Sequence, residues 1–388
     1  MTKPSGPLAG VTVLELTSVL FGPYASQTLG DWGAEVIKIE PLTGDTWRYS
    51  GQFRNRGMTG QFMAVNRNKR SLALDLKQPD GKSVLQRLIA TADVLLTNIR
   101  PAALGRLGFG YEACQQINPR LVYAAATGFG QDGPWAARPA FDEVIQASSG
   151  FASAMGSDDE PAFVPSLVAD KICGLTIVGA VSAALVHRER TGAGQAVDVS
   201  LMDSMLNLLV FECQEAQFPS KRPRPVYVPM KSTDGHVIIA PISQKNFEQM
   251  TEAMQQPELK TDARFATGPA RVEHWTELMA VMEQWTRRHS SAEIEAVMDA
   301  NSVPCSRFVT VADAMKDTQL AERGSLSKIK DAAGEFIVPN APFQFTTPTA
   351  AGPAVASLGA DNTSVLSEIL GLSETDIDAL RDQGVLST

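Results

Sequence analysis

One acid stands at the entrance to a long apolar run. Asp170 closes the segment F-V-P-S-L-V-A-D, and nearly every residue from Ile172 to Val186 beyond it is apolar. Such a run predicts a helix apolar on all sides and buried in a core. Asp is a favoured N-cap, because its carboxylate accepts a hydrogen bond from the unpaired N–H groups of the first turn. The helix dipole favours an anion at the same place. Asp170 is therefore expected as an ionised carboxylate, fixed in direction, where a strand-like segment enters a buried helix. On this stretch alone, capping is enough to account for it. Other chemistries are thinly represented. The four histidines, His187, His236, His274 and His289, form no metal-ligand spacing. The four cysteines, Cys114, Cys173, Cys213 and Cys305, form no Cys-x-x-Cys pair.

Composition bounds the rest. A chain of 388 residues, 44% hydrophobic, has material for a large core and suggests two or three domains. A net charge of −9 argues against a general nucleic-acid or anionic-membrane binder. The N-terminal M-T-K-P-S-G-P-L-A-G lacks the apolar core of a signal peptide. The apolar run is short for a membrane span and is interrupted by Gly174 and Gly179, so none is expected. Scattered, unpaired cysteines suit a reducing cytoplasm.

The elements that position Asp170 follow from periodicity. Val11–Leu16 reads as a strand, Gly22-Pro23 opens a helix that ends at Gly30 and Gly33, and Ala34–Glu40 is a second strand. This is a βαβ unit and implies a parallel sheet. A loop from Pro41 to Arg70, rich in Gly and Arg, is long enough to carry function. Strands follow at Ser71–Leu76, Asp93–Thr97, Leu121–Thr127 and Ala196–Leu201. Helices are expected at Pro79–Thr91, at Pro101–Ile117 with a break near Gly108–Gly110, and at Met202–Gln214. The alternation predicts an α/β fold with a Rossmann-like parallel sheet, whose ligands bind beyond the carboxyl ends of the strands. No G-x-G-x-x-G follows the first strand, so no dinucleotide site is expected.

A smaller α+β domain is expected at 226–329, after a proline-rich linker at 219–229. Its signals are a hairpin around Asp234-Gly235, helices at Gln244–Met254, Arg271–Arg288 and Ser291–Ala300, and a capping box Ser290-x-x-Glu293. Residues 1–200 with 330–388 make the large domain, and 201–225 a linking helix and loop. Helical tail segments at 362–371 and 375–384 need a docking surface, expected on the large domain.

Many motifs in one order resemble the class III CoA-transferases, whose fold is shared by α-methylacyl-CoA racemases. They are G-P-Y-A-S-Q-T-L-G-D-W-G-A-E-V-I-K-I-E (Gly22–Glu40), N-R-N-K-R-S-L-A-L-D-L-K (Asn66–Lys77), A-D-V-L-L-T-N (Ala92–Asn98), L-G-R-L-G-F (Leu104–Phe109), G-Q-D-G-P (Gly130–Pro134), R-T-G-A-G-Q (Arg190–Gln195), V-P-C (Val303–Cys305) and the closing L-G-A-D-N-T-S-V-L. The resemblance implies that Asp170 attacks an acyl-CoA thioester, and that CoA passes to a carboxylic acid through an acyl-aspartyl anhydride and an aspartyl-CoA thioester. It implies CoA contacts at Leu20, Phe21, Leu74, Asp75, Leu76, Lys77, Asn98, Ile99, Arg100, Arg106 and Arg138. Arg and Lys neutralise phosphates, and Arg also lies flat on adenine. The basic run Arg67–Arg70 is a second candidate phosphate site. The partners implied are an acyl-CoA, a carboxylic acid and a second copy in an interlocked homodimer. No metal or cofactor is implied beyond CoA as substrate.

Two departures bear on the activity. Racemases of this fold resemble G-H-D where this chain has Ala140-Phe141-Asp142, and phenylalanine moves no proton. Formyl-CoA transferases carry a glycine-rich loop where this chain has P-I-S-Q-K-N (Pro241–Asn246), which points to a larger or differently shaped acceptor acid. The alternatives are an acyl-CoA racemase and a non-catalytic CoA-binding protein.

Overall fold

Alternation within short apolar segments builds the central sheet. In the computed structural model, β1 (Thr12–Leu16), β2 (Glu35–Glu40), β3 (Lys69–Ala73), β4 (Val94–Thr97), β5 (Val122–Thr127) and β6 (Gln195–Ser200) pair in the order β3-β2-β1-β4-β5-β6. Every pairing is parallel. The structure describes residues 5–55, 57–219, 226–331, 334–347 and 354–387. Helices cover both faces of the sheet: α1 (Phe21–Asp31), α2 (Gly60–Asn66), α3 (Pro79–Thr91), α4 (Pro101–Leu107), α5 (Tyr111–Ile117), α6 (Asp142–Ser148), α7 (Phe151–Met155), α8 (Val168–Thr191) and α9 (Leu201–Leu208). Val13, Val36, Val94 and Val122 face α1, α8 and α9. Leu14, Ile37, Leu72 and Leu95 face α3. This period-2 division is what a sheet buried on both faces requires.

The chain winds outward from β1 to β3, returns to β4 beside β1, and winds the other way. The strand order therefore reverses between β1 and β4. In open parallel sheets, ligands bind beyond the carboxyl ends of the strands at such a point.

Contacts divide the chain into two compact units, Met1–Cys213 with Glu322–Thr388, and Gln214–Ala321. In the first unit the tail docks on the α3 face through Val365, Leu366, Ile377, Val385 and Leu386. In the second, His236–Ile239 pairs antiparallel with Met230–Lys231 and with Cys305–Arg307. Phe247, Met250, Phe265, Met282 and Ile294 fill its core. The Ser290–Glu293 capping box forms as expected. The helix expected over Arg271–Arg288 is two helices, Gly268–Glu273 and Trp275–Thr286, meeting at a non-helical His274. Most of the expected 219–229 linker lies outside the described residues.

Three further expectations are corrected. The segment Pro41–Arg70 is not one long loop, because α2 and a short hairpin, Phe53–Asn55 with Met58–Thr59, occupy much of it. The segment Met202–Gln214 is not one helix, because α9 ends at Leu208 and a second helix runs Val210–Gln217. Third, α8 is not buried all round. Thr176, Gly179, Ala183 and Val186 leave one side exposed, while Cys173, Ile177, Val181 and Leu185 enter the core. By length and hydropathy α8 is also a candidate membrane span, but half of that stretch is buried inside the protein. It is the crossover between two neighbouring strands of one sheet, which makes it a core helix.

Candidate active site

Asp170 is not the cap of α8. The helix starts two residues earlier, at Val168, and its N-cap is Leu167 in a left-handed conformation (φ 51°, ψ 51°). Asp170 lies within the first turn, where its own backbone N–H is one of the unpaired donors. That N–H donates to Oδ2 of Asp142, the first residue of α6, at 3.0 Å. Asp142 thus supplies, from another helix, the cap that the sequence suggests for Asp170. Gln146 holds Asp142 by donating to its Oδ1. Gln146 also bonds both backbone groups of Val164, donating to its carbonyl at 3.0 Å and accepting from its N–H at 2.9 Å. The segment leading into α8 is thereby tied to α6.

The Asp170 carboxylate consequently has no hydrogen-bond partner among the described residues, although only 7% of the residue is exposed. Burial first, then the nearby Asp142 and Glu143, push its pKa up from 3.8 to about 7. The expectation of a fully ionised acid is corrected accordingly. A desolvated carboxylate with free oxygens is a stronger nucleophile than a solvated one, and it needs an electrophile that requires no proton from it.

Gly174 explains how α8 meets the loop after β1. It lies one turn beyond Asp170 on the same helix face. A methyl there would stand 2.8 Å from Tyr24 Cδ1 and 3.0 Å from the Phe21 carbonyl oxygen. Only a missing side chain permits this approach. Gly174→Ala adds a helix-favouring methyl but forces α1 and α8 apart. We expect a folded protein, judged by circular dichroism, whose kcat/KM falls about 10- to 100-fold.

The other sequence candidates fall into three groups. Leu20, Phe21, Asn98, Ile99 and Arg100 come together at the switch point. Asn98 bonds Ser18 twice, accepting from its N–H at 3.1 Å and donating to its carbonyl at 2.8 Å, and so joins the loops after β1 and β4. Arg100 reaches toward the Ala137 carbonyl at 3.4 Å, beside Arg138. The Arg138 guanidinium lies over Trp135, 4.9 Å from its ring centre. Arg138 lines an open groove of about 500 Å³ with Glu143, Val144, Ala147, Ser148 and Phe163. Leu74–Lys77 follows β3 on the same edge of the sheet but two strands from β1. There Leu74 is buried, Asp75 accepts from the Lys77 N–H at 2.9 Å, and the Lys77 side chain is exposed. Arg106, in the last turn of α4, is also exposed. Neither Lys77 nor Arg106 has an ion-pair partner among the described residues.

The basic run 67–70 does not present free cations. Arg67 is buried against Asp31 at 2.6 Å, Lys69 is buried against Glu15 at 2.8 Å, and Arg70 pairs with Glu35 and Glu368. Lys69 belongs to an interior charge cluster that sequence reading missed. Glu15 accepts from Lys38 and Lys69, each at 2.8 Å, and Lys38 also reaches Asp45 at 3.0 Å. Glu40 binds Arg48 through both oxygens, each at 2.7 Å. The signal lay in the strands: V-L-E and V-I-K-I-E put Glu15, Lys38 and Glu40 on one face by alternation. Despite its burial, Glu15 is held down at about 2 by the two lysines. Burial pulls Lys69 down to about 7.

The architecture is thus a parallel α/β sheet with a partnerless buried acid on a helix beside its switch point. A family model for CoA-transferase family III matches residues 8–362. The chain belongs to that family and is a CoA-transferase. It is 32% identical to succinyl-CoA–D-citramalate CoA-transferase of Chloroflexus aurantiacus, over 99% of both chains. It is 32% identical to succinate–glutarate CoA-transferase of Agrobacterium fabrum, over 97% of this chain and 98% of that one. A formyl-CoA:oxalate CoA-transferase of Shigella sonnei is 31% identical, over 97% of this chain and 99% of that one. Among solved structures, a CaiB/BaiF family protein from Brucella suis superposes with a TM-score of 0.83 at 32% identity, covering 94% of this chain and all of that one.

Proposed function

We propose that the enzyme moves CoA between two carboxylic acids through covalent intermediates on Asp170, and that the acceptor is a short dicarboxylic acid. The observation that carries the mechanism is the Asp170 carboxylate, buried, without a hydrogen-bond partner, on a helix whose cap comes from Asp142. An Asp170 oxygen attacks the thioester carbonyl, forming a C–O bond and breaking the C–S bond. The products are an acyl-aspartyl anhydride and CoA thiolate. The thiolate attacks the aspartyl carbonyl carbon and expels the donor acid as its carboxylate. That acid carries away one oxygen of Asp170. The acceptor carboxylate then attacks the aspartyl-CoA thioester, and the freed thiolate attacks the acceptor's acyl carbon. This last step regenerates the Asp170 carboxylate, now holding an acceptor oxygen. No net proton is exchanged and no water is consumed, in keeping with a buried site.

CoA lies along the carboxyl edge of the Rossmann-like sheet, with Leu20, Phe21 and Asn98–Arg100 at the switch point. The exposed Lys77 and Arg106 side chains, with Arg138, offer phosphate and adenine contacts. The acceptor class comes from the relatives, whose names pair CoA with citramalate, glutarate and oxalate. The test is transfer from succinyl-CoA to a panel of unlabelled mono- and dicarboxylic acids, followed by chromatography of the thioesters. New dicarboxyl-CoA is the expected result. Transfer to monocarboxylic acids alone would refute the acceptor class.

The enzyme works as a homodimer in this reading. Val186 on the exposed side of α8, with Leu206, Leu208 and Val210, leaves large apolar side chains 44–52% exposed on the first unit. Exposed apolar side chains gathered into one patch mark interfaces. Sedimentation analysis should give twice the 41.6 kDa chain mass, and a monomer at micromolar concentration would contradict it.

A further inference from the structure

The turn that follows β1 is strained. Val19 has φ +71°, a left-handed conformation that a β-branched residue rarely adopts. Such a conformation persists only where its surroundings over-determine it. Two side chains bracket this turn from outside it. Asn98 bonds Ser18 on one side. On the other, Oδ1 of Asp45 accepts from the Val19 N–H at 3.3 Å and from the Trp47 N–H at 3.0 Å. The other carboxylate oxygen, Oδ2, accepts no hydrogen bond among the described residues but forms an ion pair with the Lys38 ammonium at 3.0 Å. Lys38 donates in turn to Glu15 at 2.8 Å and to the Thr17 carbonyl at 3.0 Å. Glu15, Thr17, Ser18 and Val19 all lie within the five-residue stretch from Glu15 to Val19. Asp45 and Lys38 therefore close a ring that spans the turn from its first residue to its strained one. Asp45 is 3% exposed and Lys38 is 1% exposed, so water does not compete for these bonds.

We propose that Asp45 is a positioning residue for acyl-CoA: it holds the Val19 turn in the left-handed shape that sets the Leu20–Phe21 backbone and the half-buried Phe21 side chain against the CoA thioester. The inference rests on the reading that this turn contacts CoA. It gives the Gly44-Asp45 segment, on the connection after β2, a task in binding rather than in chemistry. Asp45 touches no reacting atom. Its loss should therefore raise KM for acyl-CoA more than it lowers kcat.

The test is a double-mutant cycle with Asp45→Ala and Val19→Gly, read by steady-state kinetics and by amide hydrogen exchange with and without free CoA. Glycine adopts positive φ without steric cost, so it removes the conflict that Asp45 holds in check. Asp45→Ala should raise KM for acyl-CoA about tenfold or more, with kcat changed less than about threefold. Exchange at Val19 should quicken in the absence of CoA. The double variant should have a KM within about threefold of Val19→Gly alone, which is non-additive. Should Asp45→Ala not fold, Asp45→Asn takes its place in the same cycle. Additive effects, or an unchanged KM with unchanged exchange at Val19, would overturn the role of Asp45. CoA that fails to protect residues 19–21 of the wild-type protein would instead overturn the binding reading beneath it.

Discussion

Asp170→Ala is expected to abolish CoA transfer, lowering kcat at least ~10⁴-fold, and Phe141→Ala to leave it within a few-fold of wild type. The contrast separates covalent transfer from α-proton chemistry. Asp170 is the buried acid with free oxygens, whereas Phe141 is 69% exposed and cannot accept a proton. Asp170→Asn adds a stability readout with a definite sign. The folded carboxyl titrates near 7 instead of 3.8. Between those values the folded state holds a proton that the unfolded state has lost, so stability falls as pH rises through that window. The amide does not ionise. Asp170→Asn should therefore be inactive yet more stable than wild type at pH 8, by up to about 4 kcal/mol, with no gain below pH 3.8. For the wild type, kcat/KM for acyl-CoA should fall as pH drops below about 7, because the nucleophile is the ionised form. Equal stability of the two proteins at pH 8 would mean that Asp170 is not desolvated as described.

The largest loss of stability is expected from Glu15→Ala. Glu15 is fully buried and shared by Lys38 and Lys69. Removing it leaves two buried lysines, Lys38 and Lys69, without their common carboxylate. Breaking a buried pair costs about 3–5 kcal/mol, a large part of the ~5–15 kcal/mol that holds a typical domain folded. The pH dependence again has a sign. Glu15 is held near 2 against an ordinary 4.5. Its contribution is complete above pH 4.5 and is lost as pH falls toward 2, so the gap between wild type and variant should narrow in acid. Urea unfolding across that range measures it. Glu277→Ala, which removes an exposed partner of Arg264, should leave the midpoint unmoved. A Glu15→Ala midpoint equal to wild type would contradict the account of the cluster.

Much of the fold was legible because its signals are local. Alternation and Pro–Gly punctuation marked β1, β2 and β5, and placed α3 at Pro79–Thr91 and the break between α4 and α5 at Gly108–Gly110. What failed depended on contacts distant in sequence. Asp170 reads as a cap because a lone acid before an apolar run usually is one. The cap comes instead from Asp142, 28 residues away. The basic run 67–70 reads as a phosphate site because its acids, Asp31, Glu15 and Glu35, lie on α1, β1 and β2. The apolar run of α8 reads as buried all round because composition does not reveal a side left uncovered. Gly174 gave no warning either, since the need for a missing side chain appears only when α1 is packed against it.

The most direct test of covalent transfer is mass spectrometry of the protein mixed with succinyl-CoA and trapped with hydroxylamine or borohydride. The account predicts a mass change confined to the peptide that contains Asp170, and none in Asp170→Ala. No adduct with any thioester, accompanied by deuterium uptake at the α-carbon of the acyl chain, would contradict covalent transfer and make the enzyme a racemase.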